Sequence, residues 1–199
     1  MGKQYFENNK SLPSKEHLIT YYFMGNILHF YTDLGVFSKK EVDFGTSLLL
    51  KTIEISPKNA KVLDVGCGYG VIGITLAKMN PDIFIEMIDI NQRALNLTQK
   101  NLILNNILRA KVYESNLYEK VDQLFDLIVS NPPIRAGKRI VHEIITSSIN
   151  HLKPKGSLWI VIQKKQGAIS ALAKLKEVYS VIETITIDKG YYIIKATKI

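Results

Sequence analysis

The segment with the clearest chemical meaning is DLIVSNPPIRAG, residues 126–137, in which an apolar run ends in Ser130-Asn131-Pro132-Pro133. Prolines have fixed φ angles and no backbone N–H, so the chain turns a rigid corner with an amide side chain at its tip. The Asn131 side-chain carbonyl and the Pro132 backbone carbonyl could accept both hydrogens of an exocyclic amino group and point its lone pair at an electrophile. We therefore predict Asn131, Pro132 and Pro133 as catalytic residues, and a rigid turn without chemistry is the alternative.

A second candidate site is VLDVGCGYG, residues 62–70, in which three glycines directly follow an apolar strand pattern. Glycines let the backbone turn tightly and approach a ligand where a side chain would block it. Asp64 precedes the glycines, and Asp89 closes the next strand pattern, where an acid accepts hydrogen bonds from ribose hydroxyls. The pattern predicts a nucleoside-containing cofactor, although a simple tight turn with Asp89 as a helix N-cap would also fit.

The elements that must position these residues are short apolar strand patterns that alternate with longer amphipathic helical patterns. Strands separated by helical segments of about 10 to 15 residues indicate right-handed βαβ units and a parallel sheet that is covered on both faces. The sequence therefore predicts a Rossmann-like α/β fold.

Both ends of the chain depart from this alternation. VIETITID and YYIIKATKI, joined by Lys189-Gly190, predict a C-terminal antiparallel hairpin. HLITYYFMGNILHFYTD predicts a small N-terminal hairpin with Gly25-Asn26 as its turn. We assign the aromatic residues of this hairpin to strand packing rather than to base stacking, because half-buried strands use alternating aromatics.

The composition fits one globular domain over residues 1–199, with a β addition at 1–35 and a catalytic core at 36–199. No apolar run approaches the roughly 20 residues that span a bilayer, and the polar N-terminus lacks the apolar core of a signal peptide. The single cysteine, Cys67, has no second thiol for an intramolecular disulfide or a metal site. We expect a cytoplasmic protein without a metal.

The net charge of +8 is concentrated in one part of the chain. Residues 1–133 hold 14 basic and 14 acidic residues, whereas residues 134–199 hold 12 basic and 4 acidic residues. Such an excess indicates either a solvated lysine-rich face or a polyanion-binding surface. Its position directly after the two prolines favours the second.

With these motifs in this order, the chain resembles the class I S-adenosylmethionine-dependent methyltransferases. VLDVGCGYG matches their cofactor loop, SNL at 115–117 their adenine contact, and SNPP at 130–133 their catalytic motif. The resemblance implies a mostly parallel seven-stranded sheet and a binding site for S-adenosylmethionine. The cofactor-binding residues it implies are Asp64, Gly66, Cys67, Gly68, Asp89, Ile90, Asn116, Leu117 and Asn131. For Asn116, a turn-forming side chain at a strand end is the alternative.

Two further segments, LGVFSKKEVDFGTSLLL at 34–50 and NPPIRAGK at 131–138, resemble a short, single-domain form of the RsmC-type ribosomal RNA methyltransferases. The resemblance implies methylation of the 2-amino group of a guanine in 16S rRNA. Phe37 would cover the cofactor or stack on the base, and Asp43 to Thr46 would cap the following helix near the methionine carboxylate. A capped helix start with a buried Phe37 is the structural alternative. Ile134 stands where related motifs carry an aromatic residue, so the stacking partner is open.

The partner implied is ribosomal RNA or the small ribosomal subunit. Phosphate contacts would come from basic residues after two neighbouring strands, namely Arg135, Lys138, Arg139, Lys164 and Lys165. Two other functions remain open: N-methylation of adenine or of a protein glutamine amide, and a non-catalytic, cofactor-binding RNA chaperone or assembly factor. A dinucleotide oxidoreductase fits least, because hydride transfer does not require the Asn-Pro-Pro corner.

Overall fold

The computed structural model describes residues 13–133 and 136–199. Its strands and helices alternate as the hydrophobic pattern predicts. In chain order they are β1 (His17–Phe23), β2 (Asn26–Thr32), α1 (Phe44–Thr52), β3 (Lys61–Val65), α2 (Val71–Met79), β4 (Phe84–Asp89), α3 (Gln92–Leu104), β5 (Ala110–Glu114), β6 (Phe125–Ser130), α4 (Lys138–Ser148), β7 (Leu152–Gln163), α5 (Ala168–Val178), β8 (Val181–Asp188) and β9 (Tyr191–Thr197).

The main sheet has seven strands in the order β5-β4-β3-β6-β7-β9-β8. The first five run parallel, and β9 pairs antiparallel with both β7 and β8. Apolar side chains of α1, α2 and α3 fill one face of this sheet, and those of α4 and α5 fill the other. The prediction of a Rossmann-like fold with a C-terminal antiparallel hairpin is confirmed.

β1 and β2 form a separate two-stranded sheet, as expected for the N-terminal addition. Its turn is Met24-Gly25, with φ angles of 45° and 81°, and Asn26 already pairs with Phe23. The predicted turn at Gly25-Asn26 is therefore wrong by one residue. A two-residue hairpin turn of this kind needs positive φ at both central positions, and Gly25 supplies the second of them rather than the first.

The inner face of the hairpin belongs to the same core as α1–α3. Phe23, Leu28 and Phe30 are buried there, whereas Tyr22 is 74% exposed. The assignment of the aromatic residues to strand packing thus holds for Phe23 and Phe30 and is wrong for Tyr22. The C-terminal hairpin turns at Lys189-Gly190 as predicted, with both φ angles positive.

Asn101 in α3 and Asn105, the C-cap of α3, attach the hairpin to the sheet domain. Asn101 donates to the carbonyl of Tyr31 at 3.0 Å and accepts from its N–H at 2.7 Å. Asn105 makes the same pair with the backbone of His29, at 2.7 and 3.0 Å. These side chains form hydrogen bonds with backbone N–H and C=O groups on the outer edge of β2, as a third strand would. They therefore fix the position at which the loop to α1 begins.

Among residues 13–133 and 136–199, no helix has both the length and the apolar character required to cross a membrane.

Candidate active site

The carboxyl ends of β4, β3 and β6 lie side by side and bring the three predicted motifs together. β3 pairs with β4 on one side and with β6 on the other, in a register that places Asp64 beside Met87 and Val129. The glycine loop follows β3, Asp89 ends β4, and Asn131 follows β6 directly. Loops at this edge of an open parallel sheet form the usual ligand crevice of such folds. We call it the active edge.

The glycine loop is held by the neighbouring strand and remains open on one side. The N–H groups of Gly66 and Cys67 both donate to the carbonyl of Ile88, at 2.9 and 3.0 Å. Gly68 has a φ of 57°, and a Cβ built there would meet no atom within 4 Å. A ligand can therefore approach this backbone closely.

Gly70 has a different task in the same loop. Its φ is 93°, and a Cβ there would lie 2.8 Å from Ile74 and 2.9 Å from Thr98. The third glycine thus allows α2 to start against the core, whereas the open space at Gly68 is available to a ligand.

Asp89 connects the loop to the next helix. Its Oδ2 accepts from Gly68 N–H at 2.9 Å, and its Oδ1 accepts from Asn91 N–H at 2.8 Å. Burial raises the pKa of Asp89, against the lowering effect of the N–H groups of Asn91, Gly68 and Ile90. The N-cap of α3 is Asn91, so the alternative of Asp89 as the cap is wrong. Each oxygen of Asp89 keeps a lone pair for a further donor.

Asp64 is fully buried below the loop. Its Oδ2 accepts from Gly73 N–H at 3.0 Å, and its Oδ1 has no hydrogen-bond partner. Burial raises the pKa of Asp64 to about 7, with the nearby Asp89 charge adding to the shift and the Gly73 N–H opposing it. An unsatisfied buried acceptor beside a ligand loop fits a cationic or donor-bearing ligand.

Cys67 contributes only its backbone to this surface. The side chain is 8% exposed, and burial first, then the charges of Asp89 and Asp64, raises the pKa of the thiol well above its ordinary value. A thiol in such surroundings is not an activated nucleophile.

Two hydrogen bonds orient the side-chain amide of Asn131. Its Nδ2 donates to Asp43 Oδ2 at 3.1 Å and to Thr46 Oγ1 at 2.9 Å. Both hydrogens of the amide are used by these two bonds, so the assignment of nitrogen and oxygen follows from the partners. Oδ1 therefore lies on the side of the carboxamide opposite the Asp43–Thr46 pair and is available as an acceptor.

The rest of the corner is equally fixed. Ser130 Oγ donates to the carbonyl of Val65 at 2.7 Å, which ties the end of β6 to the end of β3. The carbonyl of Pro133 accepts from Ala136 N–H at 2.8 Å. Pro133 also lies 3.9 Å from the position of a Cβ on Gly66, so the Asn-Pro-Pro corner and the glycine loop lie close together.

Asp43 is the N-cap of α1, as predicted, and it is also the partner of Asn131. Its carboxylate accepts from Gly45 N–H at 2.9 Å and from the N–H and hydroxyl of Thr46. The Thr46 hydroxyl thus donates to Asp43 and accepts from Asn131. Sequence reasoning found the cap, but the contact with Asn131 joins residues 88 positions apart, and no local pattern signals it.

The loop from residue 33 to 43 lies against both the glycine loop and α3. The hydroxyl of Tyr69 donates to the carbonyl of Ser38 at 3.2 Å, and Asn91 Nδ2 donates to the carbonyl of Gly35 at 3.2 Å. Val36 is buried, whereas Phe37 is 56% exposed. The alternative with a buried Phe37 is wrong, because Val36 fills the core position and leaves the ring accessible.

The remaining predicted contacts lie around the loop after β5. Asn116 is exposed and donates to Glu119 Oε1 at 2.6 Å, while the carbonyl of Leu117 accepts from Ser115 Oγ at 2.6 Å. Asn116 therefore takes part in a local turn, and its contact with an adenine ring stays a prediction. Ile90, directly after Asp89, is 38% exposed at the same edge.

Four of the five predicted basic residues are exposed near the active edge. Lys138 and Arg139 begin α4, and Lys164 and Lys165 follow β7. Arg135, like Ile134, lies outside the described residues. In the described part of the chain, no group of three or more His, Cys, Asp or Glu residues is arranged to hold a metal ion.

The parallel sheet, the open glycine loop with Asp89 and the Asn-Pro-Pro corner are together typical of the class I S-adenosylmethionine-dependent methyltransferases. The methyltransferase small domain model matches residues 27–195. The chain therefore belongs to the methyltransferase small domain family.

Relatives and solved structures agree with this assignment. The chain is 47% identical to YbxB of Bacillus subtilis (strain 168) over the full length of both. It is 46% identical to the ribosomal RNA small subunit methyltransferase C of Haemophilus influenzae (strain PittEE), over 67% of this chain and 41% of that protein. The T. thermophilus 16S rRNA N2 G1207 methyltransferase (RsmC), solved with AdoMet and guanosine, has a TM-score of 0.83 at 25% identity, over 94% of this chain and 52% of that one. The chain thus spans about half or less of the RsmC relatives.

Proposed function

We propose that the protein transfers a methyl group from S-adenosylmethionine to the exocyclic 2-amino group of a guanine in 16S rRNA. The observation that carries this proposal is the orientation of Asn131, whose amide nitrogen is held by Asp43 and Thr46 so that Oδ1 is available as an acceptor. The structural similarity to the T. thermophilus 16S rRNA N2 G1207 methyltransferase supports the choice of base.

The residues of the cofactor side fit S-adenosylmethionine. The open backbone at Gly68, the lone pairs of Asp89 and the unsatisfied Oδ1 of Asp64 suit a ligand that has ribose hydroxyls and positive charge. When bound, the cofactor supplies an electrophilic methyl group. Asp89 would hold the ribose, and the backbone at Gly66 and Gly68 would face the methionine part.

The acceptor side would orient the amine. The lone pair of an aromatic amine is delocalised into the ring, which makes the nitrogen a poor nucleophile. Asn131 Oδ1 and the Pro132 carbonyl would each accept one N–H and so direct the lone pair toward the methyl group. Because both carbonyls are fixed before the amine binds, little reorganisation is needed during the reaction.

The RNA would lie across the active edge. Lys138, Arg139, Lys164 and Lys165, with Arg135, would contact phosphates and position the RNA without reading its sequence. The accessible ring of Phe37 would stack on the target base, a role that Ile134 does not fill. Since a paired guanine must leave its stack to reach the corner, single-stranded or partly assembled rRNA should be the better substrate.

The test is transfer of labelled methyl groups from S-adenosylmethionine to free 16S rRNA, isolated 30S subunits and intact ribosomes, followed by nucleoside analysis. Label in 2-methylguanosine supports the proposal. Label in adenine or in protein would keep the Asn-Pro-Pro chemistry and overturn the substrate. Cofactor binding by calorimetry without any transfer would favour the RNA chaperone or assembly factor.

A further inference from the structure

A polar cluster outside the active site lies between α4 and α5. His142, in the second turn of α4, and Ser170, in the first turn of α5, are in contact, with Nε2 3.0 Å from Oγ. Lys138 lies one turn before His142, and Lys174 lies one turn after Ser170, on the same helix faces. We call this group of four residues the α4–α5 seam.

The seam is electropositive. Burial lowers the pKa of His142, the charges of Lys138 and Lys174 lower it further, and Glu177 opposes them. Both ammonium groups therefore act on one imidazole. Lys174 also donates to Glu177 Oε2 at 2.5 Å, but this carboxylate is 60% exposed, so water screens its charge.

The seam lies next to the active edge. α4 starts five positions after Pro133 and α5 starts five positions after the end of β7, and β6 and β7 are neighbours in the sheet. His142 is four residues into α4, which places it about 6 Å along the helix axis from Lys138 at the start of α4. An RNA strand whose target base reaches Asn131 would pass close to this position.

The donors of the seam match the oxygens of one phosphate group. The two ammonium groups can donate hydrogen bonds to anionic oxygens, and their positive charges offset the charge of the phosphate. One hydrogen of the His142–Ser170 pair is used between Nε2 and Oγ, so the pair offers one further donor when His142 is neutral and two when it is protonated. All four side chains are at least partly exposed. Glu177 acts on His142 as an opposing charge.

We propose that the α4–α5 seam binds a backbone phosphate of the RNA substrate, on a nucleotide that flanks the methylated one. This inference rests on the proposed function and extends the RNA contact from the active edge along the helices. A phosphate held here fixes the register of the strand, while Asn131 acts on the base.

The first test measures binding of a fluorescent single-stranded 16S rRNA fragment by anisotropy at several salt concentrations. Lys174→Gln should weaken binding about 10-fold, the lower end of what one charge-assisted hydrogen bond contributes. It should also reduce the slope of log K against log salt by about 0.7, the value for one phosphate contact on a single strand. Lys58→Gln is the matched control, because Lys58 is exposed and lies before β3, at the opposite edge of the sheet.

The second test follows His142 by NMR. A bound phosphate favours the imidazolium, so the fragment should raise the pKa of His142, and RNA affinity should increase as the pH falls from about 7.5 to about 5.5. In His142→Gln, the increase of RNA affinity that comes from protonation of His142 should disappear. Any pH dependence of RNA affinity that comes from other groups should remain. If the His142–Ser170 contact were only structural, the pH profile of RNA binding would be the same in His142→Gln as in the wild type.

The outcomes separate the two proposals. If the wild type methylates guanine in rRNA while Lys174→Gln and His142→Gln bind the fragment as the wild type does, the seam is excluded and the proposed function stands. Equal weakening by Lys58→Gln would show non-specific attraction and also exclude the seam. If the wild-type protein does not bind RNA, both proposals fail.

Discussion

The two sides of the active edge are built from different kinds of groups. On the cofactor side, Asp64 and Asp89 are acids whose pKa values burial raises. On the acceptor side, Asn131 and the two prolines carry no titratable group, and hydrogen bonds and ring closure fix their positions. We therefore expect substitutions on the first side to act through charge and protonation. Substitutions on the second side should act through the orientation of the hydrogen-bonding groups.

The largest expected effect concerns the protonation of Asp64 in the cofactor-free protein. A pKa raised from 3.8 to about 7 means that the folded state holds the proton more tightly than the unfolded state. The stability from this proton is fully present below about pH 4 and is lost as the pH rises through about 7, at a cost on the order of 4 kcal/mol. Asp64→Asn should remove this pH-dependent contribution to the free energy of unfolding.

Urea denaturation at pH 4, 6 and 8 measures that difference. The free energy of unfolding of Asp64→Asn, relative to the wild type, should rise with pH by up to about 4 kcal/mol. Asp82→Asn, at an exposed turn position, is the matched control for replacing an aspartate by asparagine. Parallel curves for Asp64→Asn and the wild type would show that Asp64 ionises normally inside the fold.

The next effect concerns Asn131 on the acceptor side. Asn131→Ala should lower turnover by on the order of 100-fold or more, the typical loss of one preorganised electrostatic contact. Binding of S-adenosylmethionine, measured by calorimetry, should stay within a few-fold of the wild type. Near-normal methyl transfer by this variant would contradict the mechanism at the Asn-Pro-Pro corner.

Asp89 should show the opposite pattern. Asp89→Ala removes an acceptor for the ribose hydroxyls and should weaken cofactor binding about 10- to 100-fold, the worth of one or two charge-assisted hydrogen bonds. Turnover at saturating cofactor should change much less. Asp89→Asn keeps one acceptor oxygen, so its cofactor affinity should lie between those of the wild type and Asp89→Ala. Unchanged affinity in Asp89→Ala would remove Asp89 from the ribose role.

Local patterns were sufficient to predict the parts of the fold and site that depend on neighbouring residues. Glycines after a strand, an acid at the next strand end and two consecutive prolines each act within a few positions, so the glycine loop, Asp89 and the rigid corner lie where the sequence places them. Apolar residues recur with a period of about 2 in the strands and about 3.6 in the helices, and this alternation likewise identifies the βαβ units.

The features that the sequence does not reveal depend on distant contacts or on a choice between adjacent residues. Val36 and Phe37 are both apolar, and only packing decides that Val36 is buried. The pairing of Asn101 and Asn105 with β2 joins residues about 70 positions apart. The orientation of Asn131 depends on Asp43, and N-cap chemistry alone explains Asp43 in the sequence.

The smallest expected effect tests that orientation directly. Thr46→Val removes one of the two acceptors of Asn131 Nδ2 and leaves Asp43 in place, so turnover should fall only about 5-fold, the worth of one neutral hydrogen bond. Thr46→Ser keeps the hydroxyl and should restore the rate. Because the Thr46 hydroxyl already donates to Asp43, cofactor affinity should stay unchanged. Weaker cofactor binding with normal turnover would instead place Thr46 on the cofactor side, as the family resemblance predicts. Thr46 would then contribute to cofactor binding and not to the orientation of Asn131.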